Sequence, residues 1–178
     1  ILHVMTSSIY TTRYIEFISH HKDFGSHVFY IAGLKKKKYG NQFPNVHNLG
    51  SITEMKKLLV DAISSKGILL HQLNQPIITM LLVLLIPKIT RKLGWVIWGG
   101  DLSFILEKNK GFKSKLVGLL YGLVVPRIPF IIAHIPGDFQ LLNAKYNLKA
   151  DYLCAKYPGP TEKIKLIDRD PVVNDTIS

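Results

Sequence analysis

The chain has 178 residues and carries 23 Lys and Arg against 12 Asp and Glu, which gives a formal net charge of +11. The length suits one domain with a single core, and 47% hydrophobic against 20% charged residues excludes intrinsic disorder. The single cysteine, Cys154, excludes a disulfide framework and a cysteine-based zinc site, and it suits a reducing compartment. The charge predicts an anionic partner: a phosphate ligand, a membrane surface or nucleic acid.

Two apolar stretches raise the question of membrane spans. Residues 77–86 make up half of the ~20 residues that a spanning helix requires. Residues 116–133 are interrupted by Pro126, Arg127 and Pro129, which predicts a helix, a turn and a strand. We therefore expect both stretches to be core elements. The sequence starts at Ile1 inside a predicted strand, without an initiator Met or a signal peptide, so we expect a piece of a longer chain.

Predicted strands and helices alternate along the first half of the chain. The elements are a strand over 1–6, a helix over 11–21, a strand over 27–32, a lysine-rich loop over 35–38 and a short strand near Val46. A capping box at Ser51 and Glu54 then opens a helix that extends to about Ser65. The apolar stripe of this helix is predicted to consist of Ile52, Met55, Leu59 and Ile63.

The alternation continues in the second half. The elements are a strand over 67–71, a helix from Pro76 that ends before Pro87, a strand over 94–98, a helix over 112–125, a strand over 130–133, a helix from Gly137 to Tyr146 and a strand over 152–155. Short apolar strands that alternate with helices predict an α/β fold, a Rossmann-like doubly wound parallel sheet over residues 1–160. Residues 161–178 form a polar, aperiodic tail.

In such a sheet, ligands bind at the carboxyl ends of the strands, so the residues that follow each strand are the candidates for function. No G-x-G-x-x-G, P-loop, H-E-x-x-H or G-x-S-x-G motif is present. Dehydrogenases, P-loop NTPases, zincins and α/β-hydrolases are therefore not first choices.

The most distinctive strand end is Trp98-Gly99-Gly100-Asp101. Two glycines permit a tight turn and close approach of a ligand. Asp101 could act there as a catalytic base or bind sugar hydroxyls, and Trp98 offers a face on which a sugar stacks. The alternative is structural: the glycines make the turn, Asp101 caps the next segment, and Trp98 is core.

Three other segments offer candidates. His71, Gln72 and Gln75 precede a helix start, either as ligand-binding groups or as a helix cap with His71 satisfied in the sheet. Gly137 and Asp138 place a carboxylate at a helix N-terminus, for binding or simply for favourable dipole placement. His3, inside a strand, is predicted to be a core histidine.

The lysines predict either solvated faces or docking to anionic lipid. They lie over 35–38 and at positions 108, 110, 113 and 115. Nucleic acid is not favoured as a partner, because the aromatic residues lie in apolar runs and no recognition motif is present.

Four segments carry a resemblance to one bacterial family. Residues 95–102 read W-V-I-W-G-G-D-L, beside a family hallmark W-H-I-W-G-A-D-L, and residues 1–5 are similar to its opening I-H-V-L. Residues 69–76 correspond to F-F-H-G-Q-F-N-P, and residues 133–139 match A-T-R-G-D-L with a one-residue shift. Over most of residues 1–160 the chain resembles the N-terminal half of the TDP-N-acetylfucosamine:lipid II N-acetylfucosaminyltransferases, glycosyltransferases of the two-domain GT-B type. The chain departs from the family at Val96, Gln75 and Pro136, where the family has His, Asn and Arg.

The resemblance implies an enzyme domain that binds a polyprenyl-pyrophosphate-linked saccharide acceptor at the cytoplasmic face of the bacterial inner membrane. A TDP-sugar donor would bind to a second domain after residue 178, so this fragment alone would be inactive. No cofactor or metal is expected. Asp101 would be catalytic, and the acceptor-binding residues would be Ser7, Ser8, His71, Gln72, Gln75, Trp98, Gly99, Gly100, Gly137 and Asp138. The alternative is a non-catalytic Rossmann-like module that docks on an anionic membrane or a protein partner.

Overall fold

The computed structural model of the chain describes residues 1–33, 43–73, 86–98, 100, 102 and 112–155, with side chains from residue 118 onward in the last range. Its strands are β1 (Leu2–Thr6), β2 (Val28–Ala32), β3 (Val46–Asn48), β4 (Ile68–His71), β5 (Leu93–Ile97), β6 (Phe130–Ala133) and β7 (Asp151–Cys154). Its helices are α1 (Ile9–Ser19), α2 (Ile52–Ser64), α3 (Pro87–Thr90), α4 (Phe112–Val124) and α5 (Pro136–Tyr146), with 3-10 turns at Phe24–Ser26 and Val125–Arg127.

The strands form one sheet in the order β3-β2-β1-β4-β5-β6-β7, and every neighbouring pair is parallel. The predicted α/β class, a Rossmann-like doubly wound parallel sheet, is therefore confirmed. The stretch that we expected to break at its prolines does so, since it forms the end of α4, a 3-10 turn and β6. Within the described part of the chain, no helix combines the length and the apolar character needed to span a bilayer.

Helices cover both faces of the sheet. Leu2 and Val4 of β1 belong to a large apolar cluster, which also takes in Tyr121 of α4 and Leu142 of α5. Met5 belongs to a smaller cluster with residues of β2, β3 and α1. Because successive side chains of a strand point to opposite faces, the two clusters lie on opposite sides of the sheet.

The predicted apolar stripe of α2 is correct only at Leu59, which is half-buried and packs against the large apolar cluster. Ile52 is 74% exposed, and Met55 and Ile63 are exposed as well, whereas Ala62 is buried. The inward face includes Asp61, whose Oδ2 accepts a hydrogen bond of 2.7 Å from the Tyr30 hydroxyl of β2. The side of α2 that faces the sheet carries Leu58, Leu59 and Ala62 together with Asp61.

The helix boundaries follow from capping groups. The Ser51 side chain accepts from the Glu54 backbone N–H at 3.2 Å, so the predicted N-terminus of α2 is confirmed. Helix α1 begins at Ile9, two residues before its predicted start, because Ser8 is its N-cap. The predicted loop over 35–38, helix from Pro76 and tail from residue 161 lie outside the described residues.

Candidate functional site

The order of the strands reverses between β1 and β4, and the carboxyl ends of these strands open the crevice that a doubly wound sheet uses for ligands. Thr6 ends β1 and Gln72 follows β4, and the Thr6 hydroxyl donates a hydrogen bond to the Gln72 side-chain oxygen. Gln72 has a φ of 78°, a left-handed conformation that is uncommon outside glycine. Backbone strain of this kind, on the order of 1–3 kcal/mol, is concentrated at functional sites.

The two serines after β1 are placed differently. The Ser8 hydroxyl accepts from the Thr11 backbone N–H at 3.1 Å and lies 2.9 Å from the Thr11 hydroxyl, so it is engaged at the start of α1. Ser7 is exposed, and its backbone N–H donates to the Ala32 carbonyl at 2.8 Å. Both residues lie at the predicted edge, and their roles in binding stay predictions.

A row of three histidines lies on one face of the sheet beside the crevice. His71 Nε2 is 3.0 Å from His3 Nδ1, and His3 Nε2 is 2.7 Å from His27 Nδ1. His3 is 0% exposed and His71 2% exposed, whereas His27 is half-buried. Because His3 bonds a neighbour through each ring nitrogen, the neutral rings must all donate in the same direction along the row.

The row is neutral at pH 7. Burial, reinforced by the charge of His134, lowers the pKa of His71 to about 3. Burial, followed by the charges of His71 and His27, holds the pKa of His3 well below its ordinary value. Desolvation on burial disfavours the charged form of an imidazole, so neither ring holds an added proton in the folded chain.

His71 Nδ1 is buried and has no hydrogen-bond partner among the described residues. Within the sheet, His71 is bonded through Nε2, and Nδ1 has no partner in the described part of the chain. The Tyr14 ring meets the His71 ring edge-on at 4.7 Å between centroids. Burial raises the pKa of Tyr14 to about 12, which keeps its hydroxyl protonated. A buried nitrogen without a partner among the described residues, at the end of β4, is a candidate for a bound water or a catalytic role.

Aromatic rings continue this edge beyond β5 and β6. Trp98 lies 5.6 Å from the ring centroid of Tyr10 and 5.5 Å from that of His134. His134 Nδ1 lies 2.7 Å from the Ala155 carbonyl, and because a carbonyl only accepts, the proton is on Nδ1. Trp98 is half-buried rather than core; the core tryptophan is Trp95, at 0% exposure.

The remaining predicted residues are only partly described. Gly137 and Asp138 lie in the first turn of α5, half-buried, after an N-cap without a side-chain hydrogen bond. Gly100 is exposed, and an added Cβ would meet nothing within 4 Å. Gln75, Gly99 and the predicted catalytic Asp101 lie outside the described residues.

The structure brings five of the predicted residues to the crevice or beside it: Ser7, Ser8, His71, Gln72 and Trp98. Sequence reasoning missed Thr6 and the link from His71 through His3 to His27. Each of these histidines is in or next to an apolar strand, a position that indicates burial. Only the register between the strands shows that the three rings meet.

The chain matches no protein-family model and no curated protein. Within the described ranges, no group of three or more His, Cys, Asp or Glu side chains is arranged to hold a metal ion. The residues at the carboxyl edge of the sheet are therefore the features of the chain that bear on its function.

Proposed function

We propose that the chain is the acceptor-binding domain of a bacterial glycosyltransferase that moves an amino-deoxy sugar from a TDP-sugar to a polyprenyl-pyrophosphate-linked saccharide in surface polysaccharide biosynthesis. One observation carries the proposal. The four segments that resemble the N-acetylfucosaminyltransferase family each include residues of one strand, β1, β4, β5 or β6, and these strands are neighbours in the sheet. The polar and aromatic side chains of these segments follow the strands at their carboxyl ends, where such a sheet binds ligands.

The chemistry of this edge suits a saccharide. Trp98 is half-buried beside Tyr10 and His134, so an aromatic face at the crevice would stack on a sugar ring. The exposed Ser7 hydroxyl supplies a polar group that would fix the orientation of a sugar hydroxyl, and the buried His71 Nδ1 would act through one water. Asp101, which follows Gly100 in the sequence, would orient or deprotonate the acceptor hydroxyl.

The charge supports an acceptor that carries a pyrophosphate and lies at an anionic membrane. The formal net charge of +11 would attract both groups. Juxtamembrane Lys and Arg contribute roughly 1 kcal/mol each near an anionic surface, so a handful would give reversible, peripheral binding. The proposed location, the cytoplasmic face of the bacterial inner membrane, is the one that the family resemblance implies.

A transfer assay tests the proposal. The full-length protein that carries this sequence is incubated with TDP-N-acetylfucosamine and a short-chain polyprenyl-pyrophosphate disaccharide, and the trisaccharide product is measured. We expect transfer, and we expect Trp98→Ala to raise the KM for the acceptor. The control is Val60→Ala, which shortens an exposed side chain on α2 and should leave KM unchanged. Binding of the acceptor without any transfer would contradict the proposal and favour a non-catalytic module.

A further inference from the structure

The three linked histidines cross the sheet diagonally on one face. Val28 pairs with Leu2 and Leu70 pairs with Val4, so His27 lies level with Ile1, and His71 lies level with Met5. His3 is halfway between them. Four residues of strand at ~3.3 Å each separate the two ends by about 13 Å along the strand direction. The row therefore connects the amino edge of β2 to the carboxyl end of β4.

The two ends of the row differ. His27 is half-buried and hence in contact with solvent, whereas His71 Nδ1 is buried, without a partner among the described residues, at the crevice. The middle ring is held in place by Phe29, stacked on His3 at 4.6 Å between centroids, and by Tyr14 at 5.7 Å. Rings fixed in this way keep the nitrogens of neighbouring imidazoles within hydrogen-bond distance.

We propose that His71, His3 and His27 form a proton relay, in which His71 Nδ1 accepts the proton of a hydroxyl bound at the crevice and His27 releases a proton to solvent at the opposite edge. The identity of the hydroxyl, the attacking group of the saccharide acceptor, rests on the proposed function. His71 is then the general base and acts through one water, because Nδ1 itself is buried. His3 and His27 carry the proton away from His71, and Asp101 would orient the acceptor.

One proton and the donor sugar change partners in the transfer. The acceptor O–H bond breaks and His71 gains a proton on Nδ1, while the oxygen electron pair forms the bond to the anomeric carbon. The bond from that carbon to the donor phosphate breaks, and the nucleoside diphosphate leaves with its electron pair. His71 passes its Nε2 proton to His3 Nδ1, His3 passes its Nε2 proton to His27 Nδ1, and His27 releases its Nε2 proton to water. When the products have left, the row runs in reverse and His71 gives its Nδ1 proton back to the bridging water.

A relay suits this site because none of the rings ends the step with a charge. The titratable group that acts on His71 is His134, and Tyr14 beside it stays a neutral phenol. The titratable side chains that act on His3 are its two neighbours in the row, His71 and His27. Among the described residues no carboxylate acts on either ring, so a lasting imidazolium would be unpaired in an apolar site. The side chains that act on His27 are Asp23 and His21.

Ring tautomers test the relay without any substrate. In nitrogen-15 NMR spectra of the histidine-labelled chain at pH 7.5, His71, His3 and His27 should all be neutral, with the proton on Nε2 and His71 Nδ1 bare. A proton on His71 Nδ1, or a charged His3, would overturn the relay. Because no transfer is measured, this result is independent of the proposed function.

Kinetics of the full-length protein test the base. His71→Asn should lower kcat by about 10²-fold or more at unchanged KM, the scale of a lost general base. The wild-type kcat should fall as the pH drops below the pKa of His27, which burial holds below 6.5, because a charged His27 cannot accept a proton from His3. His27→Asn should remove this acid limb, and His20→Asn, at an exposed histidine, should keep it.

The outcomes separate the two proposals. Transfer by the wild type with an intact acid limb in His27→Asn, or near-native kcat in His71→Asn, would overturn the relay and leave the transferase standing. Absence of transfer by the wild type would overturn the proposed function and the assigned hydroxyl, while the tautomers would still report on the row of rings.

Discussion

The free energy of unfolding of the chain should fall when the pH is lowered from 7.5 to 5. Ordinary carboxyl groups titrate below this range. His71 is neutral in the fold because burial, with the charge of His134 as the second cause, lowers its pKa to about 3. In the unfolded chain the same ring titrates near its ordinary value of about 6.5. Between these two values the unfolded state binds more protons than the folded state, so the free energy of unfolding falls as the pH falls. The contribution is complete above pH 6.5.

The magnitude follows from the two pKa values. Proton linkage at about 1.4 kcal/mol per unit of pKa difference gives a loss of roughly 2 kcal/mol from His71 between pH 7.5 and pH 5. His3 is fully buried, and its lowered pKa adds a loss of the same sign. Since domains of this kind are stable by about 5–15 kcal/mol, the effect is large enough to measure.

Urea unfolding at pH 7.5, 6.5, 5.5 and 5 measures this loss through tryptophan fluorescence. His71→Asn should flatten the pH dependence by roughly 2 kcal/mol over that range. His20→Asn should leave it as in the wild type, because an exposed ring is hydrated in both states. If the wild type loses less than about 1 kcal/mol of unfolding free energy over this range, His71 is not a buried, neutral ring.

Three further predictions concern the crevice and the surface. Ser8→Ala should cost about 1 kcal/mol of stability in thermal unfolding, as a lost N-cap, against less than about 0.5 for the exposed Ser7→Ala; equal costs would contradict the cap. In the full-length protein, Asp101→Asn should lower turnover by roughly 10²-fold with an unchanged Tm, and near-native turnover would remove Asp101 from the catalytic site. Vesicle sedimentation should show binding to anionic but not to neutral lipid, lost at high salt; binding that survives high salt would indicate hydrophobic insertion.

Local signals were sufficient to predict the order of strands and helices. Short apolar runs bounded by turn residues mark the strands, and the predicted strand at 130–133 has the observed bounds. The alternation with helices then predicts parallel pairing, because a crossover connection brings successive strands together in the same direction. The strand ends that could bind a ligand follow from this topology.

The orientation of helix α2 could not be predicted from apolar spacing. The spacing of Ile52, Met55 and Ile63 describes a stripe, but the side of the helix that faces the sheet carries Asp61, which accepts a hydrogen bond from Tyr30. The periodicity of apolar residues does not detect a polar residue that pairs with a buried tyrosine.

The linked histidines could not be predicted for a related reason. The burial of His3 was predicted from its position inside a strand, and the structure confirms it. Its two partners are 24 and 68 residues away in sequence, and they meet it only through the registers of β1 with β2 and β4. Register is set by packing across the sheet rather than within one strand.

The carboxyl edge of β1, β4, β5 and β6 is the proposed binding surface for the saccharide acceptor. The direct measurement is a titration of the isotope-labelled chain with a water-soluble polyprenyl-pyrophosphate disaccharide, followed through its backbone amide resonances. We predict saturable shifts at residues 6–8, 71–72, 98 and 134–138, with the surface near His27 unchanged. Shifts confined to the amino edge of the sheet, or no shifts at all, would contradict the account.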